Sequence, residues 1–297
     1  MIPQFVLIIG AMKSGTTTLY DYLAQHPQIA IGQEKEPGFF AFEEKWALGT
    51  DWYETQFPFD PAKHRYALDA STDYTKYPFC KDVVERLKAS SPRKFKLIYI
   101  MRHPLRRIES HARYVERTRM EVGRSPSPRM THSLDAGISP VSFAISRYAY
   151  QIDIFEDYYE QGNLLLLTLE QLARRPDIFF RNVCEFLEIK PMHPREISLR
   201  SNAATSDTLA RRLRDSFYPT WQKLRGVSAL RRAAKVAIPR SVRAEIYERA
   251  RNSAPPRGRF FLNTKEESAV TAALACDLIR LRDRYGIDIT KEWGIEL

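Results

Sequence analysis

Short apolar runs alternate along this chain with longer segments in which apolar residues recur at helical spacing. An apolar, β-branched run at residues 5–9 ends at Gly10, and a helix-compatible segment opens at Thr16. The run predicts a buried strand, and the spacing after it predicts a helix that ends near His26, before Pro27. The same criteria predict four further strands, at residues 28–31, 66–69, 96–101 and 164–168.

Helical spacing predicts the segments that connect the later strands. These helices are expected at residues 79–89, 143–159, 179–187 and 265–285. Strands that alternate with helices are typical of an α/β fold with a parallel sheet. We therefore expect one α/β domain over residues 1–297, with a central, mostly parallel sheet and helices on both faces. Ligands of such folds bind where the strands end at their carboxyl edge.

The turn between the first strand and the first helix has the composition of an anion-binding site. N–H groups at a helix start lack intrahelical partners, and the helix dipole adds about half a positive charge there. Lys13 adds a cation to this turn, and the threonines add hydroxyl groups. The predicted anion-binding residues are Lys13, Ser14, Gly15, Thr16, Thr17 and Thr18. An ordinary glycine-rich turn remains the alternative on these residues alone.

The spacing of this turn resembles the nucleotide P-loop but its lysine is displaced. Gly10 and Gly15 have the P-loop separation, yet Thr16 stands where the P-loop has its lysine. The lysine of this turn, Lys13, lies inside the loop instead. We interpret the turn as a P-loop-like holder of a 5′-phosphate that does not support Mg²⁺-dependent phosphoryl transfer, and we expect a P-loop-like domain around it.

Composition and charge limit the class of protein. Hydrophobic residues make up 44% of the chain and charged residues 28%, which argues against wholesale disorder. The net charge of +10 fits an anionic ligand or a polyanion. The basic residues show no nucleic-acid-binding pattern, so we expect no nucleic acid partner. The odd number of cysteines, three, argues against a disulfide framework and against a zinc site.

The sequence contains no segment that predicts membrane insertion or export. No run approaches the roughly 18 apolar residues of a membrane span. The first residues run directly into the first strand and leave no room for a signal peptide. We therefore expect a cytoplasmic protein, although a catalytic domain separated from a membrane anchor would show the same pattern.

The predicted strand at 96–101 is followed by a second candidate anion site. Its sequence, residues 102–110, reads R-H-P-L-R-R-I-E-S. Pro104 suits the first turn of a helix. Arg102 offers a bidentate fork, and Ser110 offers a hydroxyl about one and a half turns into that helix. A capping salt bridge by the arginine is the alternative.

The loop after the predicted second strand carries candidate acid-base groups. Residues 33–40 read Q-E-K-E-P-G-F-F and place carboxylates and a lysine beside the expected cleft. A solvated charged loop is the alternative on composition alone.

These three segments together resemble the sulfotransferases that use 3′-phosphoadenosine 5′-phosphosulfate, above all the heparan-sulfate-type and bacterial carbohydrate enzymes. The matching motifs are K-S-G-T-T-T at 13–18, K-E-P-x-F-F at 35–40 and R-x-P-x-x-R-x-x-S at 102–110. The resemblance implies a single sulfotransferase domain. It also implies Glu36 as catalytic base, with Lys35 beside it in the cleft, and Lys13 as a second catalytic cation. Arg102 and Ser110 would bind the donor's 3′-phosphate.

Weaker matches imply further contacts. Most relatives have histidine where this chain has Gly38. The acceptor side is expected to include Ser71, Thr72, Tyr74 and Arg147. A late contact with the donor's adenine or 3′-phosphate would come from Arg257 and Gly258, or instead from residues 200–205. Residues 117–140 are interpreted as a substrate loop or a solvated basic loop, and the helical region 200–260 matches the family poorly.

The resemblance implies metal-free transfer of a sulfuryl group to an acceptor hydroxyl or, as a second choice, an amine. The product would be adenosine 3′,5′-bisphosphate. The expected acceptor is a saccharide or polysaccharide, with a lipid or small molecule as the alternative. Two other functions remain open at this point: a P-loop kinase or nucleotide-binding enzyme, and a non-catalytic polyanion-binding protein.

Overall fold

A parallel sheet forms the centre of the protein. The computed structural model describes residues 1–121, 138–192 and 262–297, which lie in one compact unit of the chain. In these ranges the sheet has five strands in the order β2-β3-β1-β4-β5, and every pairing is parallel. The strands are β1 (Gln4–Gly10), β2 (Ile29–Ile31), β3 (Tyr66–Asp69), β4 (Lys94–Met101) and β5 (Leu164–Thr168).

Helices connect these strands on both faces of the sheet. The first half of the chain contains α1 (Thr16–Leu23), α2 (Glu43–Trp46), α3 (Gly49–Thr55), a 3₁₀ helix (Thr72–Thr75), α4 (Val83–Ala89) and α5 (Pro104–Glu121). The second half contains α6 (Pro140–Ser146), α7 (Tyr148–Asp153), α8 (Glu156–Glu160), α9 (Leu169–Arg174), α10 (Pro176–Leu187), α11 (Thr264–Tyr285) and α12 (Ile289–Trp293).

The central strand β1 is buried on both faces. Phe5, Leu7 and Ile9 point to one face and pack with α4, α7 and α11. Val6 and Ile8 point to the other face and pack with α1 and α10. Because successive strand residues alternate between faces, a continuous apolar run requires cover on both sides. The predicted α/β fold, with a mostly parallel sheet and helices on both faces, is therefore confirmed.

The strand order brings the predicted motifs together. β1 lies between β3 and β4, and β2 lies beyond β3. The carboxyl ends of parallel strands meet at one edge, so the segments after Gly10, Ile31, Asp69 and Met101 open onto the same crevice. This edge of the sheet carries the candidate site.

The segment predicted as one helix over 143–159 is instead three short helices, α6 to α8. The backbone leaves helical conformation at Arg147, where ψ is 80°. Asp277 of α11 then accepts hydrogen bonds from the N–H groups of Ala149 and Tyr150, at 3.2 Å and 2.9 Å, at the start of α7. A carboxylate from a distant helix therefore caps the new helix, which periodicity alone does not reveal.

The structure corrects the start of the segment predicted as a substrate loop, residues 117–140. α5 continues through Glu121, so the first residues of the 117–140 segment are helical. Residues 122–137 lie outside the described ranges, as does the whole 200–260 region. A single domain over all 297 residues therefore stays a prediction. In the described ranges, every helix is too short or too polar to cross a bilayer.

Candidate active site

The turn after β1 has the predicted arrangement of strand, turn and helix. Gly15 precedes α1 in the left-handed conformation, with φ at 96°, and as a glycine it offers no capping side chain. The N–H groups of the first turn of α1 therefore keep their hydrogen-bonding capacity for a ligand. Together with the helix dipole, they favour an anion at this position.

Close packing requires the glycine at the end of β1. A Cβ atom at Gly10 would lie 2.0 Å from Oγ1 of Thr75 and 2.9 Å from the ring of Tyr99. The Thr75 hydroxyl is itself fixed, because it donates a hydrogen bond to the carbonyl of Ile9 at 2.7 Å. The 3₁₀ helix that follows β3 thus holds the start of the phosphate loop directly against the sheet.

Lys13 lies inside the loop with its ammonium group 4.7 Å from the centre of the Tyr114 ring. Its backbone is in the left-handed region, with φ at 73°. The next residue, Ser14, is fully buried, and its hydroxyl has no hydrogen-bond partner among the described residues. A buried orphan hydroxyl beside a cation fits a loop that takes an anionic ligand.

Glu36 lies on the loop after β2 and is exposed, so a ligand can reach its carboxylate. The hydroxyl of Thr72 donates to Glu36 Oε2 at 3.3 Å, and Lys35 Nζ lies 4.0 Å from Oε1. Lys35 also donates a hydrogen bond of 2.8 Å to Oγ1 of Thr17 in α1. The structure therefore brings together the predicted base, the lysine beside it and the phosphate loop.

Two predicted acceptor contacts, Ser71 and Tyr74, lie in the interior. Both side chains are fully buried, and both hydroxyl groups donate to Asp69, at 2.6 Å in each case. Thr72 is also largely buried but reaches Glu36. Direct contact of Ser71 or Tyr74 with an acceptor stays a prediction, whereas their contacts with the protein are structural.

Arg102 lies at the end of β4, next to the phosphate loop. Its Nη1 group lies 3.5 Å from the carbonyl of Lys13 and donates to it. Its backbone is held by Tyr148, whose hydroxyl donates to the Arg102 carbonyl at 2.6 Å. Pro104 is the first residue of α5, as predicted, and Ser110 lies half-buried on the same helix.

Arg107 of the same motif bonds to the protein interior. It is fully buried and donates to the hydroxyl groups of Ser146 and Ser142, at 2.8 Å and 3.0 Å, and to the carbonyl of Ser142. Burial lowers the pKa of the Arg107 guanidinium. This arginine joins α5 to α6, and its match to the motif reflects that packing.

Two histidines of the same region, the buried His111 and the partly buried His103, have lowered pKa values. Burial, reinforced by the charges of Arg106 and Arg102, lowers the pKa of His103 to about 4. Burial also lowers the pKa of His111 to about 4, with further contributions from Arg107, Lys76 and Lys13. The positive potential that disfavours imidazolium here also favours a bound anion.

Comparison with known proteins assigns the chain to a family. Residues 3–194 match the model of the sulfotransferase family. This chain belongs to the sulfotransferase family. The match includes the phosphate loop, the Glu36 loop and the Arg102 turn.

Relatives of this sulfotransferase include enzymes of heparan sulfate. Human heparan sulfate glucosamine 3-O-sulfotransferase 6 is 30% identical over 198 residues, which are 63% of this chain and 53% of the relative. Human bifunctional heparan sulfate N-deacetylase/N-sulfotransferase 2 is 26% identical over 209 residues, 64% of this chain and 22% of the relative. The chain thus spans about half the length of the first of these.

A solved sulfotransferase from Alicyclobacillus acidocaldarius is also similar. It is 24% identical, with a TM-score of 0.49, and the match covers 72% of this chain and 91% of that one.

The sulfotransferase site contains supporting residues that the sequence did not single out. Glu170, at the start of α9, accepts hydrogen bonds of 3.0 Å from the backbone N–H of His103 and from the indole N–H of Trp293. Asp69 accepts four hydrogen bonds at the end of β3. The sequence gives no distinctive signal for either residue, because a carboxylate at a strand end looks like any solvated turn residue.

The remaining predicted site residues are Arg147, Arg257 and Gly258. The guanidinium of Arg147 lies 4.2 Å from the centre of the Tyr150 ring, between α6 and α7, and its role toward an acceptor stays a prediction. Arg257 and Gly258 lie outside the described residues, as do residues 200–205. Within the described ranges, no cluster of His, Cys, Asp or Glu side chains has the arrangement of a metal site.

Proposed function

We propose that this protein transfers a sulfuryl group from 3′-phosphoadenosine 5′-phosphosulfate to a hydroxyl group of a saccharide. Family membership supports the reaction class. The observation that carries the proposal is the hydrogen bond between Lys35 and Thr17, because it places the Glu36 carboxylate beside the loop that would bind the 5′-phosphosulfate.

In this mechanism Glu36 removes the proton of the acceptor hydroxyl as its oxygen attacks sulfur. A new sulfur–oxygen bond to the acceptor forms, and the bond between sulfur and the bridging phosphate oxygen breaks. General-base catalysis of this kind contributes about 10²- to 10⁴-fold in rate. The reaction needs no oxidant and no metal ion, so we expect it to proceed in the presence of a chelator.

The phosphate loop stabilises the leaving group. Lys13 and the N–H groups at the start of α1 would neutralise charge that develops on the bridging oxygen and the 5′-phosphate. The buried hydroxyl of Ser14, which has no hydrogen-bond partner among the described residues, would gain one. Arg102 and Ser110 would hold the donor through its 3′-phosphate, with the arginine fork supplying a paired hydrogen bond.

The acceptor class follows from the relatives by analogy. Both human relatives act on heparan sulfate, one on an oxygen and the other on a nitrogen, according to their names. We propose a saccharide hydroxyl as acceptor, and we keep an amine, a lipid and a small molecule as outcomes of an acceptor screen. Location in the cytoplasm stays a prediction.

Calorimetry with adenosine 3′,5′-bisphosphate and with ATP, both in EDTA, tests the donor. We expect tight binding of the bisphosphate alone, and a loss of about 10- to 100-fold in affinity for Arg102→Ala. Arg106→Ala is the matched control, because Arg106 lies four residues later, in the first turn of α5, and pairs with Glu109 at 2.9 Å. Binding of ATP in preference to the bisphosphate would favour a P-loop kinase instead.

Transfer of ³⁵S from the labelled donor to heparan sulfate, and to a panel of neutral saccharides, tests the reaction. Labelled product from any saccharide in EDTA supports the proposal. Donor binding without transfer to any acceptor, and with no effect of Glu36→Gln, would favour a non-catalytic polyanion-binding protein.

A further inference from the structure

Asp69 is a buried carboxylate surrounded by hydrogen-bond donors. It is fully buried at the last position of β3. Oδ1 accepts from the N–H and hydroxyl of Ser71, at 2.9 Å and 2.6 Å. Oδ2 accepts from the hydroxyls of Tyr53 and Tyr74, at 2.7 Å and 2.6 Å. Each carboxylate oxygen thus accepts two hydrogen bonds from groups of the protein itself.

The groups that donate to Asp69 hold the loop that carries Glu36. Ser71 Oγ accepts a hydrogen bond of 2.8 Å from the N–H of Gly38. The hydroxyl of Tyr74 accepts one of 3.4 Å from the N–H of Phe40. Gly38 is therefore linked to Asp69 through the hydroxyl of Ser71, and Phe40 is linked to Asp69 through the hydroxyl of Tyr74.

Two further contacts complete this attachment. The N–H of Ala70, next to Asp69, donates to the carbonyl of Lys35 at 3.1 Å. The ring of Tyr53 stacks on the ring of Phe39, with centres 4.4 Å apart and planes 11° apart. The loop from Lys35 to Phe40 is thus held before Glu36 by the backbone next to Asp69, and after Glu36 by side chains that donate to the Asp69 carboxylate.

The direction of these hydrogen bonds depends on the aspartate. Burial, with the charge of Asp69, raises the pKa of both Tyr53 and Tyr74 well above the ordinary value, so both hydroxyls keep their protons and donate. Because each hydroxyl proton points to Asp69, the lone pairs of Ser71 and Tyr74 are left to accept from Gly38 and Phe40. An apolar residue at 69 would leave these hydroxyls without an orienting acceptor.

We propose that Asp69 is a positioning residue that fixes the loop 35–40, and with it the carboxylate of Glu36, for attack on the donor. This role rests on the proposed function of Glu36 as the base. A base must lie within hydrogen-bond reach of the proton that it removes, and a displacement of about 1 Å is enough to slow a reaction about 10²-fold.

The test compares Asp69→Asn with Asp277→Asn. Asp277 is a matched control, because it is also buried, accepts two hydrogen bonds and has a pKa that burial raises to about 6, as for Asp69. It holds the start of α7 and has no contact with the Glu36 loop among the described residues. Both variants should lose stability, but the consequences for the Glu36 loop should differ.

Amide hydrogen exchange measures local opening of the 35–40 loop and requires no acceptor substrate. In Asp69→Asn we expect the N–H groups of Gly38 and Phe40 to exchange at least about 10-fold faster, whereas in Asp277→Asn they should exchange as in the parent protein. Ser71→Ala is a milder variant that should affect Gly38 alone. Unchanged exchange at Gly38 and Phe40 in Asp69→Asn would overturn the proposal.

Kinetics test the consequence for the reaction, with heparan sulfate as acceptor and ³⁵S-labelled donor. Asp69→Asn should lower kcat about 10- to 100-fold while the KM for the donor stays near that of the parent. Asp69→Glu should recover part of kcat, since it restores a carboxylate. An equal loss of kcat in Asp277→Asn would overturn the proposal. Full activity of Glu36→Gln would instead refute the base assignment, so the two failures are distinguishable.

Discussion

Lys35 donates a hydrogen bond of 2.8 Å to Thr17 and so joins the loop after β2 to the helix that begins at the phosphate loop. The same lysine lies 4.0 Å from Glu36, and its carbonyl accepts from Ala70 at the end of β3. One residue thus connects three strand ends. In the proposed reaction this connection holds the base and the leaving group at a fixed distance and orientation. It therefore reduces the entropic cost of aligning the reacting groups.

Replacement of Glu36 by Gln should remove catalysis and leave donor binding intact. We expect kcat to fall by about 10²- to 10⁴-fold, because the amide cannot accept the acceptor proton. Affinity for adenosine 3′,5′-bisphosphate, measured by calorimetry, should match that of the parent. Glu34→Gln is the control, since Glu34 is exposed on the same loop and pairs with Lys45 at 3.9 Å. Equal losses in the two variants would contradict the prediction.

Lys13→Ala should weaken both donor binding and turnover. We expect kcat to fall by about 10²- to 10³-fold, since a preorganised charge at the departing phosphate is lost. Lys45→Ala serves as the control, because its ammonium lies over the ring of Trp52, at 5.3 Å. The measurement is ³⁵S transfer combined with calorimetry. Wild-type kcat in Lys13→Ala would exclude the lysine from the leaving-group role.

His111 should make the protein sensitive to acid. Burial and the charges of Arg107, Lys76 and Lys13 lower its pKa in the folded state from 6.5 to about 4, so the unfolded chain binds the proton first. The contribution of His111 to the free energy of unfolding is therefore complete above pH 6.5 and falls by about 3 kcal/mol as the pH drops to 4.

His111→Gln should make the free energy of unfolding less dependent on pH between pH 4 and pH 6.5. Urea unfolding of both proteins at pH 4, 5, 6 and 7 gives the comparison, and the parent should lose more stability than the variant below pH 6. Subtraction of the two curves cancels the contributions of other titrating groups, including His103. Parallel curves would show that His111 does not titrate in this range.

Gly10→Ala should destabilise the protein more than Gly49→Ala. A Cβ at position 10 would overlap the hydroxyl of Thr75 at 2.0 Å, whereas one at Gly49 would meet no atom within 4 Å. We expect a loss of about 3 kcal/mol from overpacking at Gly10. At Gly49, where φ is 81°, only the cost of a left-handed backbone remains, about 1–2 kcal/mol. Thermal unfolding of the two variants is the measurement, and equal shifts in Tm would refute the steric argument.

Local sequence was sufficient for the elements that carry the site. Apolar runs predicted β3 and β5 with their observed bounds, and they predicted β1 and β4 to within two residues, because a strand buried on both faces must be continuously apolar. The turn from Gly10 to Thr16 was confirmed as a strand-to-helix connection. Three short motifs in order also sufficed for the family, which the match over residues 3–194 confirms.

Local sequence patterns did not predict the contacts between segments that are distant in the chain. The break at Arg147 depends on Asp277, about 130 residues later, and so periodicity favoured one helix where three exist. Contact of Ser71 and Tyr74 with an acceptor stays a prediction, and the sequence did not reveal that both hydroxyl groups donate to the buried Asp69. Polar residues at a strand end look alike in sequence whether they meet solvent, a ligand or a buried charge.

The sequence by itself therefore determined the α/β class, the phosphate loop and the identity of Glu36, Lys13 and Arg102 as candidates, since each depends on neighbours within a few residues. Only the tertiary structure decided that β1 lies between β3 and β4, which brings their following loops to one crevice. It also decided that Lys35 bonds Thr17 and that Asp69 anchors the Glu36 loop. These relationships depend on which strands pair, and strand pairing is set by packing of the whole core.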